Sequence, residues 1–402
     1  MTHSPAGRAV IVIMAVGIVA AVWVVMRGGM SAQQAPAPGD GSGAGTSPAP
    51  GPAVAAESPA AATKASPRPG PADPPDEGLE DHVEALAGAA TAEAARESLA
   101  ELETWLRSLR PGAAAPVIRG FLESGRDVSL PLEFRIGPGG FLETPPTLRV
   151  ALLDLLGRLD PEAAAALGKD ILSTPTNADE WAVALRDVAR IDEDGSERNY
   201  LRAKTEELIR NETWQANPSV GYLNAFDVLV HTRATESTPL LSELIRRKDR
   251  RDLAHAGYLT LDRLTQRAPV EVLERLRADG PLRESRPGMV AQQFARADLR
   301  EPAQRELVRT WLLAPERTPG ELHAFAGIFP NNNRMISTNL LTTETPPSGV
   351  ELRAHDVEVL SLVSRWQQDP AFARVRPHLD TMVGRLRQFT AGRAPLPAAP
   401  AP

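Results

Sequence analysis

The chain has 402 residues, a formal net charge of −7 and a sequence pI near 5.7, so its overall field does not favour nucleic acid. It contains no cysteine, which excludes disulfides, thiolate zinc sites, iron–sulfur clusters and cysteine nucleophiles. Aromatic residues make up 4%, too few for an extended surface that stacks bases or sugars.

The first element is "AVIVIMAVGIVAAVWVVM", Ala9 to Met26, which carries no charged residue and is bracketed by Arg8 and Arg27. At helical rise it measures about 27 Å, near the ~30 Å thickness of a bilayer's hydrocarbon core. It exceeds the roughly 7–15 apolar residues of a cleaved signal peptide. The stretch 9–26 therefore predicts a transmembrane signal-anchor helix behind a short N-terminal segment, 1–8. A short N-terminus before a long body predicts a single-pass membrane protein of the bacterial inner membrane, with its body in the periplasm. One arginine on each side keeps the reversed topology, with the body facing the cytoplasm, as an alternative. Residues 27–76 are dominated by Ala, Pro, Gly and Ser and lack the large apolar residues that offset ordering entropy, so they read as a disordered linker. The tail 393–402 reads the same way.

From residue 77 to 392 the chain reads as helix after helix. In "LAELETWLRSLR", Leu99, Leu102, Leu106 and Leu109 share a face that Trp105 extends, and Pro111-Gly112 ends the helix. Asp160-Pro161 reads as an N-cap followed by an N1 proline. Asn177 and Ser196 read as the caps of the next two helices. Pro218, Pro239, Pro269, Pro287, Pro302, Pro319 and Pro370 lie near further helix starts, and Pro377 is expected to kink or divide the last helix.

One stretch breaks this pattern. Val128, Leu130, Leu132, Phe134 and Ile136 alternate with Ser129, Pro131, Glu133 and Arg135, the period of a strand. Pro138 presets a turn, Gly139-Gly140 permit positive φ, and "FLET" is placed to return as the partner strand. No Gly-Lys-Ser/Thr follows, and Pro145-Pro146 separate the glycines from the next helix, so this is no phosphate loop. The expectation is a small β-hairpin, near 128–144, inserted in a turn and projecting from it. Arg135, Pro138, Gly139, Gly140 and Phe141 are its candidate partner contacts.

Two stretches carry a resemblance. In "TLRVALLDLLGRLDPEA", Leu148-Arg149, Leu152, Leu155-Leu156-Gly157 and Leu159 fill the apolar-Arg and Leu-Gly-x-Leu places of a second HEAT-repeat helix. "TPLLSELIRRKDRRDLAHAGYLTLDRL" resembles a whole repeat. Pro239, Leu240, Leu241, Leu244 and Ile245 match its first helix, Asp249 its turn, and Leu253, Ala256 and Leu259 its second helix; Ala254 stands where arginine is usual. The chain thus resembles HEAT-repeat (armadillo-type) α-solenoid proteins. The resemblance implies an all-α fold, a right-handed α-solenoid of helical hairpins with one small β-hairpin insertion. Such arrays share no catalytic residues, so it implies no catalytic, cofactor or metal site.

The remaining motifs are weaker. No two of the seven histidines are four apart, so a helical zinc pair is absent. "HDVE" (His355 to Glu358) reads as a solvated helix face, and "IDEDGSE" (Ile191 to Glu197) as a turn, because the glycine and the twelfth position (Ala203) do not fit a calcium loop. "RRKDRR" (Arg246 to Arg251) reads as a solvated edge at a repeat turn, with an anionic partner as the alternative. "PNNNR" (Pro330 to Arg334) reads as a tight turn. The functional expectation is a membrane-tethered, non-enzymatic scaffold that binds an unknown protein or other macromolecule, with no cofactor, no nucleic acid and no small-molecule ligand. An extracytoplasmic enzyme or enzyme accessory whose site forms only in three dimensions is the alternative.

Overall fold

The computed structural model describes residues 75–391. They are mostly helical, with one small two-stranded sheet. In chain order the first helices are α1 (Pro75–Gly88), α2 (Ala92–Ser108) and α3 (Ala114–Glu123), followed by strands β1 (Arg135–Ile136) and β2 (Leu142–Thr144). Next come α4 (Leu148–Leu159), α5 (Pro161–Ile171), α6 (Ala178–Ile191) and α7 (Arg198–Arg210), then the short α8 (Glu212–Ala216), α9 (Val220–Ala225) and α10 (Asp227–His231). A second series is α11 (Thr238–Arg246), α12 (Arg251–Arg267), α13 (Pro269–Ala278), α14 (Gly280–Ser285), α15 (Pro287–Phe294), α16 (Pro302–Leu313) and α17 (Pro319–Ile328). The chain ends with α18 (Gly349–Gln368), a 3₁₀ turn (Pro370–Val375) and α19 (Arg376–Ala391).

Local chemistry sets these boundaries. The Asp160 carboxylate accepts from the N–H of Ala163 at the start of α5, with Pro161 in the first turn. Asn177 accepts from the N–H groups of Asp179 and Glu180 at the start of α6. Both satisfy donors that a helix cannot satisfy internally. The last helix is divided as expected, with Pro377 in the first turn of α19. Ser196 is not a cap: α7 begins at Arg198, and the Ser196 hydroxyl turns back to the Asp192 carboxylate at 3.2 Å.

The principal helix packings join helices no more than four places apart in chain order. Apolar faces meet between them. Leu102 and Leu106 of α2 are buried with Leu152, Leu153 and Leu156 of α4 and Trp181 and Leu185 of α6. In the later helices aromatic rings form a chain of contacts: Phe294 stacks on Trp311 at 4.9 Å, Trp311 meets Phe325 at 5.3 Å, and Phe325 meets Phe329 at 5.3 Å.

Two expectations need correction. The single-pass membrane protein with its body in the periplasm is not supported, because among the described residues no helix is long and apolar enough to cross a membrane. The segment 9–26, most of the linker and the tail 393–402 lie outside the described residues, while linker positions 75 and 76 belong to α1. The hairpin also differs. It forms, with Arg135 opposite Thr144 and Ile136 opposite Leu142, but it does not project as an insert. Leu130, Phe134 and Leu142 are each under 8% exposed and join the core, because the alternation turns their side chains onto α4 and its neighbours.

Candidate functional site

The hairpin turn meets the rest of the molecule through charge. Gly139 and Gly140 adopt φ of 74° and 77°, the left-handed region that glycine enters without a Cβ penalty. This aims the carbonyls of residues 139 and 140 at α6, where Arg190 donates to the first and Arg186 to the second (3.2 Å). The Arg186 side chain has no exposed surface. Its Nε donates to Asp187 Oδ1 at 2.8 Å, and its Nη1 also reaches Asp154 Oδ1. Asp154 accepts in addition from the N–H of Leu142 (3.0 Å) and from Arg158 Nη2 (2.5 Å). Three guanidiniums, those of Arg158, Arg186 and Arg190, surround the ring of Phe141 at 5.4, 4.8 and 3.8 Å from its centroid. The Gly157 of the Leu-Gly-x-Leu motif lets α4 approach this group, since a Cβ there would lie 2.7 Å from Asp187 Oδ1.

These charges perturb one another. Burial raises the Asp187 carboxyl to about 6, although Arg186 beside it pulls the other way. Asp187 Oδ2 meets no hydrogen-bond donor, consistent with a carboxylate held against desolvation. Burial and the neighbouring Arg186 lower the Arg190 guanidinium. For Arg186 burial opposes the charge, but the carboxylates of Asp187 and Asp154 outweigh it and raise the pKa.

The same turn touches a distant segment. Residues 329–348, between α17 and α18, form no helix or strand. A Cβ on Gly140 would run into the carbonyl of Leu340, and Arg190 Nη2 donates to that carbonyl at 3.4 Å. Asp227 of α10 receives the N–H groups of Leu341 (2.8 Å) and Thr342 (3.0 Å), the Thr342 hydroxyl (2.5 Å) and Arg263 of α12 (2.7 Å). Arg267 holds the Glu344 carboxylate at 3.2 Å. Asp262 pairs with Arg296 (2.5 and 2.9 Å), whose Nη1 donates to the carbonyls of Asn331 and Asn333. Arg334 donates to the carbonyl of Thr345 at 3.2 Å and closes the base of a loop, 334–345. On that loop Met335 and Ile336 are 40% and 65% exposed.

A polar cleft of about 480 Å³ lies beside this segment, lined by Arg296, Arg300, Asn331, Arg334, Glu351 and His355. The "HDVE" face is therefore not simply solvated: His355 and Asp356 are buried, while Val357 and Glu358 are exposed. His355 Nδ1 lies 3.1 Å from Asp356 Oδ1, and Nε2 lies 3.6 Å from Asp298 Oδ1. Both ring nitrogens therefore face carboxylate oxygens. Among the described residues no group of three or more His, Asp or Glu is placed to hold a metal ion.

Of the candidate contacts, Arg135, Pro138 and Gly139 are exposed, Phe141 is half-buried under the arginines, and Gly140 is buried against Leu340. The motif arginine, Arg149, is committed internally: it clamps Glu180 (2.9 and 3.0 Å) and donates to the carbonyl of Leu122 (2.6 Å), tying α4 to α6 and α3. The buried ionic groups escaped sequence reasoning. Their signal was charge inside an otherwise apolar helix face, as in "LRDVAR" (Leu185–Arg190) and "LDRLTQR" (Leu261–Arg267). No protein-family model, no curated protein and no solved structure matches the chain.

Proposed function

We propose that this chain is a non-enzymatic, right-handed α-solenoid of HEAT-like helical hairpins that binds a protein partner where the hairpin turn and the 334–345 loop meet. The repeat reading is supported by helices that pack chiefly on chain neighbours, as stacked hairpins do. The binding reading rests on one observation: the 334–345 loop. Ordering an irregular segment costs about 1–2 kcal/mol per residue in backbone entropy. Here it is offset by buried carboxylates and arginines, yet the segment so held presents Met335 and Ile336 to solvent. Exposed apolar side chains on an anchored loop make a contact element whose ordering cost is met before the partner arrives. The exposed Arg135, Pro138 and Gly139 extend the face across the Gly140–Leu340 contact. An enzymatic reading would fall in the polar cleft beside His355.

A photo-crosslinking residue tests the proposal. At position 336 it should give one discrete adduct in cells, and at the exposed Val357 of α18 it should give none. Equal adducts at both positions would remove the basis for assigning this face.

A further inference from the structure

The "RRKDRR" turn does more than edge a repeat. A cleft of about 560 Å³ opens between the α11–α12 hairpin and the start of α15. Its lip carries Arg247, Lys248, Arg251 and Arg286, and no carboxylate lines it. The rest of its lining is chiefly apolar, Ile245, Ala254, Tyr258 and Met289, with His255 among them. This is a local reversal of sign on a chain of net charge −7.

Part of the charge is internally balanced. Arg247 grips Asp249 (3.1 and 2.5 Å) and Gln215 (2.7 Å), and Arg250 grips Asp252 (3.2 and 2.7 Å). These pairs fix the turn. Among the described residues Lys248 and Arg251 have no ion-pair partner, and Arg286 makes only a 3.4 Å bond to the carbonyl of Ile245. Three cations thus stand in surplus around a chiefly apolar lining.

We infer that this cleft binds an acidic peptide segment of a partner protein, one that carries an aliphatic or aromatic side chain between its carboxylates. The side chain packs against Tyr258 and Met289, and the carboxylates meet Lys248, Arg251 and Arg286. The volume is that of a pocket for a ligand of a few residues. Nucleic acid fits less well, because strand binding uses a longer basic track with stacking rings. A free inorganic anion would leave the apolar lining uncovered. The cleft is separate from the 334–345 loop, and the inference does not rest on that loop being a contact face.

The test uses the purified full-length chain and fluorescence anisotropy with a labelled Glu-Glu-Leu-Phe-Glu-Glu peptide. Saturable binding is expected, weakened about tenfold or more when Gln replaces every Glu or Ser replaces Leu-Phe. The double change Lys248→Glu/Arg251→Glu should weaken it by a similar factor and leave the thermal melt unchanged, since both side chains are exposed and unpaired. Should the double variant fail to fold, Lys248→Gln alone should still weaken binding measurably. Ile336→Asp should bind the peptide like the wild type, which separates this site from the loop. No saturable binding at millimolar peptide, equal affinity for the Gln peptide, indifference to the Lys248 change, or tighter binding of an oligouridylate would each overturn the inference.

Discussion

Replacing Gly140 by Ala, with Gly139→Ala as its partner, isolates the contact between the hairpin turn and the 334–345 loop. Both glycines have positive φ, so each change carries the same backbone term, about 1–2 kcal/mol. Their surroundings differ. A Cβ on Gly139 meets nothing within 4 Å, whereas one on Gly140 runs into the Leu340 carbonyl. Backbone there cannot rotate aside as a side chain does, so the loop must shift. The shift pulls the N–H groups of Leu341 and Thr342 from Asp227 Oδ2, now at 2.8 and 3.0 Å. Hydrogen bonds to a charged acceptor contribute about 1.5–3 kcal/mol each. Gly140→Ala should therefore be less stable than Gly139→Ala by about 1.5–3 kcal/mol if one bond is lost and about 3–6 kcal/mol if both are. Urea denaturation gives the difference, and amide exchange at Leu341 and Thr342 should accelerate in Gly140→Ala alone. Two variants that agree within about 0.5 kcal/mol would refute the reasoning, because the loop would then accommodate the added carbon without losing its ties.

Arg149→Met strands the Glu180 carboxylate, whose side chain is 4% exposed, and should destabilise by about 3–5 kcal/mol in urea titrations; Glu180→Gln added to it should recover part of that loss. Leu152→Ala removes a fully buried side chain and should lower stability by about 2–5 kcal/mol, read by circular dichroism melts. Asp187 titrates in the fold at about 6, above its ordinary 3.8. Its contribution to stability is thus full below the lower value and is lost as pH rises through the upper one. Asp187→Asn should flatten that decline, seen as urea midpoints measured across this range.

The helix starts were legible because caps are local. Asp160 and Asn177 satisfy N–H groups two or three residues away, and that chemistry is written in adjacent letters. The hairpin was legible for the same reason: alternation and a Pro-Gly-Gly turn specify it without help from elsewhere. Its burial was not, since nothing in Val128–Thr144 says that α4 and Leu340 will cover it. Arg186 and Asp187 illustrate the limit further. Helical periodicity assigns charges to solvent, and besides its neighbour Asp187 the buried Arg186 guanidinium relies on Asp154 and the Gly140 carbonyl, 32 and 46 residues away. The "HDVE" face was misread likewise, because the Asp298 that meets His355 belongs to another segment.

The long-range ties of the loop also set an order in time. Arg190 waits for a carbonyl 150 residues further along the chain, and Asp227 for N–H groups 114 and 115 residues further along. At about 5–20 residues per second of synthesis, that interval is roughly 6–30 s. Asp227 gains Arg263 earlier, only 36 residues on, so its charge is balanced before its hydrogen bonds are complete. A nascent chain halted before Leu340 would therefore hold its first helices with the Gly140 turn uncovered and Asp227 half satisfied, a substrate for chaperones and proteases rather than a finished N-terminal half.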